Sequence, residues 1–292
     1  MGTPFDDSER RVWAGSAAAY AIGFGRLCAH TVPWLLDAAG VGEGTRVLDV
    51  GTGTGSVAAA AGARGARVIA VDAEPGMARR TRDAVPGARV QIAALPQLPF
   101  RDGRFDATVG NFVLNHVGRP RAALAELRRV TRPGGRIALT VWAAPPAPGQ
   151  ALLGRAVQAA GVPRPPHLPT LAPEDDFPRT ADGLTGLLRG AGLVRAGCRA
   201  LVWDHRTTPE EWWHGPAAGV ATIGRIVTGQ GPATTERIRR HFTELAAEFT
   251  ESDGALVLPH AALLAYGEAA GGDAEAGGGA APGANRGDYD AR

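Results

Sequence analysis

At 292 residues, 45% hydrophobic and 21% charged, the chain has the composition of a soluble globular protein with one large domain or two unequal ones. A net charge of only +2 gives no electrostatic footprint for a nucleic-acid partner. All 31 basic residues other than histidine are arginine, which excludes lysine imine chemistry and the P-loop; two distant cysteines, Cys28 and Cys198, make neither a disulfide framework nor a zinc site.

The opening stretch MGTPFDDSERR is polar, with no apolar signal core, and no apolar run approaches the roughly 20 residues that span a bilayer. A cytoplasmic protein without a membrane partner is expected. Glu9–Ala39 reads as helical, with apolar residues at helical spacing through Tyr20, Phe24, Leu27, Trp34 and Leu35, and Pro33 opening a second helix. Strand and helix signals then alternate. Arg46–Val50, Arg67–Val71, Arg89–Ile92, Phe105–Phe112 and Arg136–Val141 read as strands, with helical patterns from Ser56, over Met77–Val85 and over Pro120–Val130. Such alternation implies βαβ crossovers and an α/β, Rossmann-like fold with a mainly parallel, doubly wound sheet. Beyond Trp142, Pro145, Pro146 and Pro148 break the alternation, and Pro163–Pro178, with six prolines, reads as an irregular loop. Thr180–Gly190 reads as a helix and Leu193–His205 as a long strand. Thr207–Glu211 looks like a helix N-terminus, with two helices following to about Glu251. Ala255–Tyr266 fits a last strand or a short helix. From Gly267 the chain offers almost nothing to bury, and disorder is expected.

The most informative run is Val47-Leu48-Asp49-Val50-Gly51-Thr52-Gly53-Thr54-Gly55, directly after a strand and directly before a helix. Glycines there let the backbone turn sharply and approach a ligand closely. Asp72 ends the next strand 21 positions after Gly51, close to the separation of about 20 at which an acid reaches ribose hydroxyls in nucleoside-binding units. Loop and acid together predict an adenosine-containing ligand. The third glycine comes one residue too early for the G-x-G-x-x-G that seats a pyrophosphate, and Ser56 stands at the dinucleotide position. Asp49 is unfavourable beside a pyrophosphate but favourable beside the ammonium and sulfonium of S-adenosylmethionine (SAM). Spacing and charge both favour SAM over a nicotinamide dinucleotide.

The block from Val47 to Val141 resembles the class I SAM-dependent methyltransferases, specifically the small-molecule methyltransferase type 11 group. VLDVGTGTG resembles that family's motif I and VDAEPGM the stretch around its ribose acid. LPFRDGRFDATVGNFVLNHV and ELRRVTRPGGRIALTVW resemble the blocks that follow, and together these cover about a third of the chain. The resemblance implies that Gly51, Thr52, Gly53 and the loop backbone hold the methionine end of SAM, that Asp72 binds the ribose, and that Ala73 and Met77 line the adenine pocket. Where the family often carries an acid this chain has Ala94, so the adenine would be read by backbone groups near Leu95. The product would be S-adenosylhomocysteine. Four segments follow from this reading: an N-terminal helical lid (1–43), a SAM-binding core (44–142), a C-terminal part completing the sheet and carrying a substrate cap (143–266), and a tail (267–292).

Methyl transfer from a sulfonium is a direct displacement, so alignment matters most and a base is needed only for a nucleophile that holds its proton. Asn111 and His116 flank the end of the fourth strand, where open α/β sheets bind ligands. Asn111 either orients SAM or caps a loop. His116 is the best-placed general base, the alternative being packing or cofactor contact. Tyr20 either covers the SAM site or belongs to the core. Trp142, Trp212, Trp213 and His214 are candidate contacts for a small, aromatic or hydrophobic acceptor, or else plain packing. The remaining histidines have no metal-ligand spacing, and no metal is expected. A monomer or homodimer is expected. A DNA amino-methyltransferase is disfavoured because Gly110-Asn111-Phe112-Val113 lacks the prolines of that class. A nicotinamide-dependent oxidoreductase and a non-catalytic SAM-fold scaffold are the other rivals.

Overall fold

A computed structural model of the chain describes residues 2–166 and 168–271; the expected disorder of 272–292 and the position of His167 lie outside the described residues. The N-terminal segment forms four short helices, α1 (Pro4–Trp13), α2 (Ala17–Ile22), α3 (Phe24–Ala29) and α4 (Val32–Ala38), rather than one long run followed by another. Helix α1 starts early because Thr3 and Asp6 close a capping box around Pro4. It stops before Gly15, which takes the left-handed conformation at φ 73°.

The sheet contains β1 (Arg46–Val50), β2 (Arg67–Asp72), β3 (Arg89–Ile92), β4 (Phe105–Asn111), β5 (Thr131–Trp142), β6 (Leu193–Thr207) and β7 (Leu256–Ala269). Between them lie α5 (Ser56–Ala63), α6 (Pro75–Ala84), α7 (Pro120–Val130), α8 (Pro148–Ala159), α9 (Ala181–Gly190), α10 (Pro209–Ala217), α11 (Ala221–Thr228) and α12 (Pro232–Ala246). The strand order is β3-β2-β1-β4-β5-β7-β6, with β1 to β5 parallel and β7 antiparallel to both its neighbours. The expected Rossmann-like, mainly parallel sheet is present.

Both faces of the sheet are covered, which is why the central strands read as unbroken apolar runs. Val47, Ala138 and Leu264 face one core with Leu35, Ala58, Leu152 and Phe242. Their sequence neighbours Leu48, Leu139 and Leu263 face the other, with Leu124, Leu127, Leu184 and Leu188.

Two sequence expectations change. Pro148 opens helix α8 instead of ending regular structure, since a proline at the first helical position loses no intrahelical hydrogen bond. Strand β7 runs to Ala269, past the expected boundary at Gly267, because Gly267 pairs with Ile137 and Glu268 with both Arg136 and Val194. Among the described residues no helix is long and apolar enough to cross a membrane.

The LPF-x-D block is held from α7. Glu126 accepts the Leu98 N–H at 2.7 Å, and Arg129 donates to the carbonyls of Phe100 and Leu98 and to Asp102. Also at the amino ends of the strands, Asp106 bridges the Arg46 and Arg132 guanidiniums, which hold its carboxyl far below the usual carboxylate range.

Candidate active site

The chain winds outward from β1 through β2 to β3, then restarts at β4 on the other side of β1. The carboxyl ends of β1 and β4 therefore diverge, and open α/β sheets bind ligands in that crevice. A cavity of about 660 Å³ opens there, within the range of about 300–1,000 Å³ typical of ligand sites.

At one end lies the glycine loop. Gly51 and Gly53 have φ of 69° and 59°, and a Cβ on Gly51 would meet Val113 Cγ2 at 2.6 Å. The loop is fixed from β2 and α6: Asp72 Oδ2 accepts the Gly53 N–H at 2.8 Å, and the Thr81 hydroxyl donates to the Gly53 carbonyl at 2.9 Å. Asp72 Oδ1 accepts the Glu74 N–H, and burial raises this carboxyl above its ordinary pKa. Ala73, Met77, Ala94 and Leu95 line the same end. Tyr20 covers it: a Cβ on Gly53 would lie 3.6 Å from Tyr20 Cε1. Burial pushes the Tyr20 phenol well up and the Cys28 thiol beside it to about 12, so both stay protonated.

Asp49 and Thr52 are not in the cavity wall. Alternation along β1 turns Asp49 to the face of Val47, wholly buried beneath the loop, where Oδ2 accepts the Thr52 hydroxyl at 2.6 Å. Its Oδ1 has no partner, and burial pushes its pKa up to about 7. An unpartnered carboxylate oxygen under a glycine loop fits a cationic group laid on that loop, acting through its field rather than by contact.

Asn111 reaches the wall but is engaged by the fold. Its Oδ1 lies 2.7 Å from the Thr31 hydroxyl and accepts from Thr140 at 2.6 Å, while Nδ2 donates to the Cys28 carbonyl at 2.9 Å. It ties the N-terminal helices to β4 and β5. His116 also lines the cavity, with Nδ1 2.7 Å from Glu9 Oε2.

The far end is a wall of rings. Phe112 stacks on Trp142 at 4.1 Å, Trp142 meets His260 at 6.1 Å, His260 meets Trp212 at 5.5 Å, and Trp212 meets Phe24 at 5.4 Å. All five rings line the cavity. They come from five places in the chain: α3, the end of β4, β5, α10 and β7. Phe112 sits in the left-handed region at φ 61°, as does Ala221 at φ 58°, and both face the cavity. Backbone strain of this kind persists where the surroundings over-determine it and clusters at functional sites. Behind the wall His205 Nδ1 lies 3.3 Å from His30 Nε2. Burial holds His205 and His260 down at about 4, so the wall is uncharged at neutral pH.

Of the candidate acceptor contacts, Trp142 and Trp212 reach the cavity and two do not. Trp213 stacks on Phe242 of α12, and His214 is exposed on the outer side of α10. Residues one apart on a helix point about 100° apart, so α10 can turn only one of these side chains inward. Sequence reasoning missed Glu9, Trp13, Phe24, Phe112 and His260. Glu9 and Trp13 carry a signal, being four apart on one helix face; the others carry none.

Residues 48–139 match a family model described as a methyltransferase domain. An uncharacterized protein of Mycobacterium tuberculosis is 30% identical over 272 residues, covering 88% of this chain and 93% of that protein. Demethylmenaquinone methyltransferase of Beutenbergia cavernae is 37% identical over 151 residues, or 51% of this chain and 61% of that protein. Among solved structures, a phosphoethanolamine N-methyltransferase of Haemonchus contortus in complex with S-adenosylhomocysteine shares the fold. Its TM-score is 0.55 at 14% identity, over 91% of this chain and 60% of that one. The fold, the glycine loop and the matched domain agree: the chain belongs to the class I SAM-dependent methyltransferases, in the type 11 group, and SAM is its cofactor.

Proposed function

We propose that the protein transfers the methyl group of SAM to an O, N or C atom of a small aromatic or hydrophobic metabolite, in the setting of natural-product biosynthesis. The observation that carries this reading is the uncharged wall of five rings, which continues from the cofactor end of one cavity. Flat faces in an apolar site favour a flat acceptor, through burial and ring–ring contact. The relative from Beutenbergia acts, by its name, on demethylmenaquinone.

Gly51 and Gly53 offer backbone to the methionine end of the cofactor, Asp72 takes the ribose, and Ala73, Met77 and Leu95 flank the adenine. The bound cofactor supplies an activated methyl group with a neutral thioether as leaving group. What the chain adds is alignment, worth roughly 7–11 kcal/mol in well-oriented systems, and His116 as the base where the nucleophile holds a proton. Release of S-adenosylhomocysteine with phenols, arylamines and size-matched aliphatic alcohols tests the acceptor class. Turnover is expected with aromatic members only. Turnover with the aliphatic alcohols alone would overturn the reading.

A further inference from the structure

We propose that Glu9, on the N-terminal helix, is a positioning residue that sets the tautomer of His116 and so makes it a base. The inference rests on the role proposed for His116 above. Glu9 is 107 residues from His116 in sequence, yet its Oε2 lies 2.7 Å from His116 Nδ1. The Glu9 side chain is 13% exposed and that of His116 35%, so the contact is shielded on the carboxylate side. An ionised carboxylate only accepts, and a contact this short places the proton on Nδ1. Trp13 Nε1 lies 3.4 Å from His116 Nδ1 but 3.1 Å from Glu9 Oε2. With Nδ1 already a donor, the indole N–H goes to Glu9. One carboxylate oxygen thus holds both rings, which stand edge to face at 5.0 Å.

Helix α1 is itself fastened over the site. Asp6 Oδ1 accepts the Gly118 N–H at 2.7 Å, two residues beyond His116. At the helix's other end Arg225 of α11 donates to the carbonyls of Arg11 and Val12. These fastenings fix where Glu9 stands. A base held by a third group through its other ring nitrogen is the arrangement that activates nucleophiles in unrelated hydrolases.

With Nδ1 protonated, Nε2 carries a lone pair and takes the proton of an acceptor O–H or N–H. The electron pair freed on that atom forms the bond to the methyl carbon. The carbon–sulfur pair leaves with sulfur as S-adenosylhomocysteine. Glu9 then faces an imidazolium, which passes its extra proton to solvent.

The test needs no acceptor. Long-range ¹H–¹⁵N spectra of histidine-labelled protein bound to S-adenosylhomocysteine report which ring nitrogen carries the proton. Wild type is expected to show His116 protonated at Nδ1. Glu9→Leu, which removes the acceptor at similar volume, is expected to move the proton to Nε2, the tautomer free imidazoles prefer. Glu9→Gln keeps the side-chain length and can offer either O or N–H, so a mixture is expected even if the leucine variant fails to fold. A purely structural Glu9 would change melting temperature and leave the tautomer alone, which overturns the proposal, as does an Nε2–H tautomer in wild type. Full turnover by His116→Ala would instead remove the base assignment beneath it, whatever the spectra show.

Discussion

Replacing His116 with alanine is expected to lower kcat toward an aromatic O–H or N–H acceptor by about 10²- to 10⁴-fold, the range of general acid–base catalysis. The ring is placed at the carboxyl end of β4, in the wall of the cavity and against a carboxylate. Affinity for S-adenosylhomocysteine should change little, since the cofactor contacts expected of this fold come from the glycine loop, Asp72 and the Ala73–Met77 turn. Single-turnover kinetics beside calorimetric titration separates the two effects. A variant with full turnover would remove His116 from the chemistry. One that loses cofactor binding would assign it to the cofactor instead.

Acid is expected to destabilise an Asp49→Asn variant well above the range where most carboxylates protonate. His205 and His260 are 4% and 1% exposed, and burial holds each at about 4 against an ordinary 6.5. The folded pKa lies below the unfolded one, so from pH 6.5 downward the unfolded chain binds protons that the fold refuses. Stability falls through that window and levels off near pH 4. At about 1.4 kcal/mol per unit, and allowing for partial screening, each histidine is expected to remove about 2 kcal/mol.

Asp49 works the other way. Its folded pKa of about 7 lies above the unfolded 3.8, so the fold keeps a proton and gains stability as pH falls between those values. Wild type should therefore change little between pH 7 and about pH 4.5, and Asp49→Asn should lose about 3 kcal/mol. Urea unfolding at the two pH values checks this. Equal stability of Asp49→Asn at both would mean that the histidines behind the ring wall are not held neutral.

The cofactor end of the site was legible because its signals are local. A strand, a glycine loop whose φ values only glycine tolerates cheaply, and an acid closing the next strand all lie within 47–72, and their spacing disfavours a pyrophosphate. Asp49 shows the limit of such reasoning. Its charge was expected to lie beside a cation in the site, but strand alternation turns it under the loop, not into the cavity. The acceptor end was scarcely legible, because long-range packing assembles it. His260 reaches the wall through the β6–β7 register that sets it opposite Trp203. Phe112 does so through a left-handed backbone held by its N–H to Thr140 Oγ1 at 2.9 Å. Trp212 was found beside two residues that point elsewhere, since neighbouring aromatic residues on a helix give no clue to which one faces inward. Pro148 misled for a simpler reason: the same residue breaks one helix and begins another.

Calorimetric titration of S-adenosylhomocysteine into wild type and Asp72→Ala tests the central claim, that the glycine loop and its acid form the cofactor site, most directly. Wild type should bind in the micromolar range and should not bind NADH. Asp72→Ala should bind about 10- to 150-fold more weakly, the roughly 1.5–3 kcal/mol expected of hydrogen bonds to a charged group. Unchanged affinity in the variant, or tight NADH binding with none of S-adenosylhomocysteine, would contradict it.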